Sequence, residues 1–205
     1  MRLSQALIAA ALAATTATVP GCSNKTTPST TTSGQATSAT STASSAAPTS
    51  SAPGQPTDYT GLLIKGSDIE SPEPFNSSPP TQNPNGQPGV ATTFSVQDGS
   101  RVIHDTIQVL ADPGAATDAL NAAKAGFGKT LKDPKIDQTN VGAGGTTAFG
   151  NTVDGAHGEA ILVFTEGRAV VTLEFAGPPD LAPPPDFVND VGQKQDAAVK
   201  KGLGG

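Results

Sequence analysis

An α+β fold, with a mostly antiparallel sheet and two helices packed on it, is predicted by three features of the 205-residue chain. Two pairs of β-prone runs are each joined by a short turn signal, Asp98-Gly99 and Glu166-Gly167. Each pair is followed by a stretch whose apolar residues recur at helical steps of three and four. Composition changes at Asp58, from a Ser/Thr-rich block to an Ala/Gly-rich sequence with enough aliphatic residues for one modest core. There is no Trp, aromatics make up 4% of the chain, and the single Cys excludes an internal disulfide, so that core must hold the domain alone.

In chain order, Tyr59 to Ile64 is a short apolar cluster that fits a strand or one helical turn, and Ser67 to Glu70 a brief helix stopped by Pro72 and Pro74. Ser71 to Pro88 reads as a long Pro-rich loop. Val90–Gln97 and Arg101–Leu110 form the first hairpin, and a two-residue loop pairs Phe94 with Ile103 and Thr92 with Asp105. Asp105 then falls between isoleucines on an apolar face. A carboxyl there needs a partner, and Thr92 directly opposite is the candidate.

Asp112-Pro113 opens a helix, with Asp as N-cap and Pro at the first position. Its stripe is Ala116, Leu120, Ala123, Phe127 and Leu131, and it stops before Asp133-Pro134. Val141–Phe149, rich in Gly, reads as a weak or bulged edge strand. Glu159–Thr165 and Arg168–Phe175 make the second hairpin. Both of its faces are fairly apolar, which places it centrally or under cover on both sides. After a Pro-rich crossing, Asp186 caps the last helix, with Phe187, Val191, Ala198 and Val199 inward and Lys200 and Lys201 complementing its C-terminal dipole. From Val90 the order is β-β-α-β-β-β-α, and hairpins followed by helices imply one sheet with both helices mainly on one face.

The N-terminal part is of a different kind. Met1-Arg2 precede an uncharged Leu3–Val19 run that reads as a secretory signal. The run ends in Val19-Pro20-Gly21-Cys22, and the only Cys of the chain falls there. Val19, Gly21 and Cys22 resemble the lipobox of bacterial lipoproteins, while Pro20 departs from the small residue usual at its place. The resemblance implies removal of residues 1–21 and a mature N-terminus at Cys22 carrying diacylglycerol and an amide-linked acyl chain, a stable anchor on the outer face of the cell membrane. Residues 22–57 hold the lipidated Cys and a tether. Ser and Thr fill 19 of the 35 positions from 23 to 57, a composition that cannot bury enough apolar surface to fold. As a coil it spans roughly 30 Å. It serves as a plain spacer or a carrier of O-linked sugars. Residues 58–205 are the single α+β domain. The whole is similar in style to small cell-envelope lipoproteins of mycobacteria and related actinobacteria. The element order also resembles the PsbP-like fold and the external sensor domain of mycobacterial Ser/Thr kinases.

Candidates for chemistry are few. The net charge of −6 disfavours a nucleic-acid surface. Gly128-Lys129-Thr130 lacks the upstream Gly of a phosphate loop and lies at a helix end whose amides point the wrong way. Gly142-Ala143-Gly144-Gly145 lacks dinucleotide-binding spacing. Of His104 and His157, the only histidines, His104 falls on the face opposite Asp105 and cannot share a site with it, and no metal or other cofactor is indicated. Glu159 and Glu174 stand directly opposite in the two-residue-loop register, with Cβ atoms roughly 5 Å apart, close enough to share a proton, bind a hard cation or divide acid and base roles. The favoured reading is a non-catalytic binding or interaction module, its partner an envelope protein, glycan or lipid. A carrier of an apolar or amphipathic ligand between sheet and helices is the alternative. An envelope hydrolase using Glu159 and Glu174 comes third.

Overall fold

The structure, a computed structural model, describes residues 58–179 and 181–204; the signal segment, Cys22 and the tether expected at residues 1–57 lie outside them. Eight antiparallel strands form one sheet. They are β1 (Asn76–Ser77), β2 (Thr81–Gln82), β3 (Gly89–Ser95), β4 (Val102–Val109), β5 (Leu131–Gln138), β6 (Ala143–Thr152), β7 (Gly158–Glu166) and β8 (Ala169–Gly177). The helices are α1 (Pro113–Thr130) and α2 (Pro185–Gly202). The strand order is β1-β3-β4-β8-β7-β6-β5, with β2 also on the outer edge of β3.

The first hairpin takes the expected register: Phe94 pairs with Ile103 and Thr92 with Asp105. The second is displaced by two residues. Its turn is Gly167-Arg168, with Gly167 at φ 57°, and Glu166 pairs with Ala169. A two-residue displacement preserves which side chains share a face, because the pleat repeats every two residues. Leu162 and Leu173 therefore still sit together, and they pair directly.

The helices lie on opposite faces, not on one. On the first face, Leu120 and Phe127 of α1 pack with Ala148, Ile161, Val163 and Val170. On the second, Val188, Val191 and Val199 of α2 pack with Leu162, Phe164, Val171, Leu173 and Phe175. The reason is the apolar content of both faces of β7, which is buried at all positions from Gly158 to Thr165. Two apolar faces need two covers. Close approach of α2 depends on Gly192, where a Cβ would collide with Leu162 and press on Val141.

Three elements differ from the sequence expectation. The chain after α1 continues as β5, a strand more than foreseen, so β6 is interior and β5 is the edge. The strand carries Pro134, Asp133 at φ 45° and a bulge between Lys132 and Lys135, and seven of its eight residues are not buried. Those are features of a strand held by its backbone alone, and they hide it from a hydrophobic pattern. The Pro-rich loop at residues 71–88 folds back as β1 and β2, pairing Asn76 with Ser95 and Thr81 with Ala91. The N-cap of α2 is Pro184 and not Asp186, whose carboxylate lies in the first turn and suits the helix N-terminus there. At α1, Asp112 caps as expected, its Oδ1 accepting from Ala115 N at 2.9 Å.

Residues 58–75 join α2 in covering the second face. Thr60–Leu62 and Gly66–Asp68 are single 3-10 turns, and Tyr59, Leu62, Ile64, Ile69 and Phe75 are all buried there. Gln195, fully buried on α2, holds this segment: its Oε1 accepts from Ile64 N at 3.1 Å, and its Nε2 donates to Leu62 O at 2.6 Å. Replacement Gln195→Leu leaves a buried N–H and C=O unmet. It is expected to cost about 2–6 kcal/mol, at roughly 1–3 kcal/mol for each unmet group. Urea unfolding of the variant measures the loss.

Candidate functional site

A cavity of about 380 Å³ opens at one end of the layer between α2 and the sheet. Its floor comes from the start of β4 (Val102, Ile103) and the end of β8 (Phe175, Ala176, Gly177). One wall is Glu70, Ser71, Pro72 and Phe75, and the other is Pro178 and Leu181 to Pro184 of the crossing with Phe187 of α2. Three rings meet there. Phe75 and Phe187 stack with centroids 6.2 Å apart, and Phe175 meets Phe187 edge-on at 5.9 Å. Phe75 and Phe175 are buried and Phe187 half-buried.

The local sequence explains the crossing wall. Leu181 N donates to Pro178 O at 3.2 Å, closing a turn, and Gly158 N donates to the same carbonyl at 3.1 Å. A Cβ on Gly158 would lie 2.8 Å from the Leu181–Ala182 backbone, and one on Gly177 would lie 3.1 Å from Leu181 O. Two glycines at the ends of β7 and β8 thus let the crossing lie flat on the sheet end. Pro72, Pro178, Pro183 and Pro184 bring no N–H, so the walls are poor in donors. Leu181 stands 65% exposed at the mouth.

The polar groups of the rim are mostly engaged. Arg101 pairs with Glu73 at 3.0 Å, and Lys194 pairs with Glu70 and Asp190 at 2.9 Å each. Ser71 is the exception: its Oγ is buried and has no hydrogen-bond partner. A second cavity, of about 210 Å³, is lined by Thr81, Thr92, Thr93, His104 and Thr106 beside the β1–β2 fold-back. There Thr93 Oγ1 lies 3.1 Å from His104 Nδ1.

The residues singled out from sequence distribute differently. Glu159 and Glu174 are not directly opposite: Glu159 pairs with Ala176, and Glu174 with Ile161, because the hairpin turn falls one residue later than expected and so shifts each cross-strand partner by two. They remain diagonal neighbours on the α1 face. Burial pushes Glu159 up to about 7, with the charge of Glu174 as the next cause. Glu174 stands across from His104 in the β4–β8 register. Neither glutamate lines either cavity.

Asp105 is on the α2 face and wholly buried, as its place between Ile103 and Ile107 implies. Thr92 is opposite it but does not satisfy it. The fold-back of residues 76–82 takes the Thr92 hydroxyl, which donates to Ser78 O at 2.9 Å, and both Asp105 oxygens lack a partner. Burial pushes this carboxyl up to about 8, so it is a neutral acid at pH 7. Cys22 lies outside the described residues. Sequence reading gave no part in a site to Ser71, Phe75, Phe187 or Leu181. The available signal was a pair of Pro-rich segments, each flanked by a Phe.

No protein-family model and no curated protein matches the chain. Among solved structures, the crystal structure of the extracellular domain of PknH from Mycobacterium tuberculosis is similar, at 10% identity over 71% of this chain and 94% of that one, with a TM-score of 0.48. Among the described residues no helix is long and apolar enough to cross a membrane.

The Asp105 carboxyl makes stability depend on pH. The folded state keeps its proton up to about pH 8, whereas the unfolded chain releases it near 3.8. The stability is therefore full below pH 3.8 and is lost as pH rises to about 8, by at most about 1.4 kcal/mol per unit. Glu159 acts in the same direction up to about 7. Denaturant melts across this range should show the fall, and Asp105→Asn should leave only the shallower part that ends near pH 7.

Proposed function

We propose that the chain is a non-catalytic binding module, exported and held on the outer face of a cell membrane through acylated Cys22, whose Phe–Pro cavity takes the apolar part of its ligand. The observation that carries the reading is the cavity itself. Three phenylalanines and four prolines surround about 380 Å³ of open space, and the exposed Leu181 stands at its mouth. Cavities of this size lined by apolar side chains with a few polar groups suit small apolar or amphipathic ligands.

The position of the cavity refines the carrier alternative. Space between α2 and the centre of the sheet is filled by Leu162, Leu173 and Val191, none of them exposed. A ligand enters at the end of the layer, not inside it. The lining favours binding over catalysis, since its one hydroxyl, Ser71, has no histidine beside it in the wall. The lipobox-like end of the first segment supports the anchor, and the tether, with Lys25 as its only charged residue, supplies the reach.

Binding is measured with an uncharged naphthalene dye that brightens in apolar sites; the absence of Trp leaves the background low. Phe187→Ala is expected to weaken dye binding by about tenfold, as loss of a buried ring contact implies, with unfolding midpoint checked in parallel. An unmodified chain that leaves the dye dark sinks the pocket reading. Membrane fractionation tests the anchor separately: Cys22→Ala should move the protein to the soluble fraction and abolish labelling with palmitate.

A further inference from the structure

We infer that the ligand of the Phe–Pro cavity is a single-chain amphiphile with an uncharged head bearing an ester or hydroxyl group, recognised by Ser71. The inference rests on the pocket reading above and adds the head group. Its first support is Ser71, a residue of the cavity lining whose Oγ is buried and has no partner. An unmet buried hydroxyl is costly, and rotation about Cα–Cβ onto a ligand oxygen in the cavity would remove the cost. A hydroxyl both donates and accepts, so an ester carbonyl or an alcohol fits it equally.

The second support is the charge state of the rim. Arg101 is held by Glu73, and Glu70 by Lys194. A carboxylate or phosphate head would share Arg101 with Glu73 and lie beside two glutamates. An ammonium head would compete for Glu70 with Lys194, which is itself also held by Asp190. An uncharged head breaks neither pair. The third support is size. At about 380 Å³ the cavity is near the small end of ligand sites, which run from roughly 300 to 1,000 Å³, and so admits one chain, not two. The three rings and Leu181 take that chain, and Ser71, in the wall between Glu70 and Phe75, meets the head at the rim.

The test uses the full chain carrying Cys22→Ala, so that no covalent acyl group competes, with three probes of equal chain length: monolauroylglycerol, laurate and dodecylamine. Calorimetry should find monolauroylglycerol tightest, by about fivefold or more over the charged probes, the effect expected of one well-made hydrogen bond. Ser71→Ala should remove that advantage and Ser71→Thr should keep it. Laurate or dodecylamine binding as tightly as monolauroylglycerol overturns the head-group inference while leaving the pocket standing. Undiminished binding of monolauroylglycerol by Ser71→Ala overturns it equally. Failure of all three probes to bind overturns both. The comparison among probes on the Ser71 chain decides even if the Ala variant does not fold.

Discussion

The amide of Gln195 is the interaction on which the shape of the candidate site depends. One side chain, buried on α2, completes the hydrogen bonding of two backbone groups in a segment more than a hundred residues away in sequence. That segment, residues 58–75, has only two single turns of 3-10 helix and little backbone pairing of its own. A non-repetitive segment can be buried only where something answers its amides and carbonyls. Gln195 answers two of them, Ser77 Oγ accepts from Gly66 N at 3.1 Å, and Gln82 Oε1 accepts from Tyr59 N at 3.2 Å. Downstream of these ties the chain delivers Ser71 and Phe75 to the cavity. The wall is therefore a consequence of polar matching, although its surface is apolar.

The two-faced sheet organises the rest. With β7 buried on both sides, α1 and α2 each own one face, and each face closes differently. The α1 face is shut by Leu120 and Phe127 over β5–β8, and its β3–β4 part shows Thr93, His104 and Thr106. The α2 face is longer, because residues 58–75 extend the cover beyond the helix. Its far end is where the Phe–Pro cavity opens. Asp105 lies under this second cover, and its proton is retained because nothing there can pair with a charge.

Legibility in the sequence followed how much of each element's signal lay in its side chains. Both hairpins, both helices and the Asp112 cap could be read, since alternation, helical spacing and capping chemistry are side-chain properties. The apolar content of Ile161, Val163 and Val170 also announced a second covered face, but antiparallel hairpins gave no reason to divide the helices. The register of the second hairpin was missed by two residues because Glu166-Gly167 and Gly167-Arg168 are both acceptable turns, and alternation is blind to a shift of two. That shift alone separates Glu159 from Glu174. Strand β5 and the β1–β2 fold-back could not be read, since both are held by backbone pairing with exposed side chains. The buried state of Asp105 was legible, its lack of a partner was not: the carbonyl that takes the Thr92 hydroxyl belongs to the segment read as loop. The cavity was illegible for a related reason, since Ser71, Phe75 and Phe187 converge only in three dimensions.

Both margins of the sheet are spoiled as templates. At one, Pro134 and the bulge at Lys132–Lys135 interrupt the free side of β5. At the other, β1 and β2 pair with β3 over only two residues each and leave no long straight strand bare. Molecules of this kind can be crowded side by side on a surface at high local density without zipping their sheets together. The irregular segments that defeat pattern reading thus also deny a neighbouring copy a bare strand to pair with.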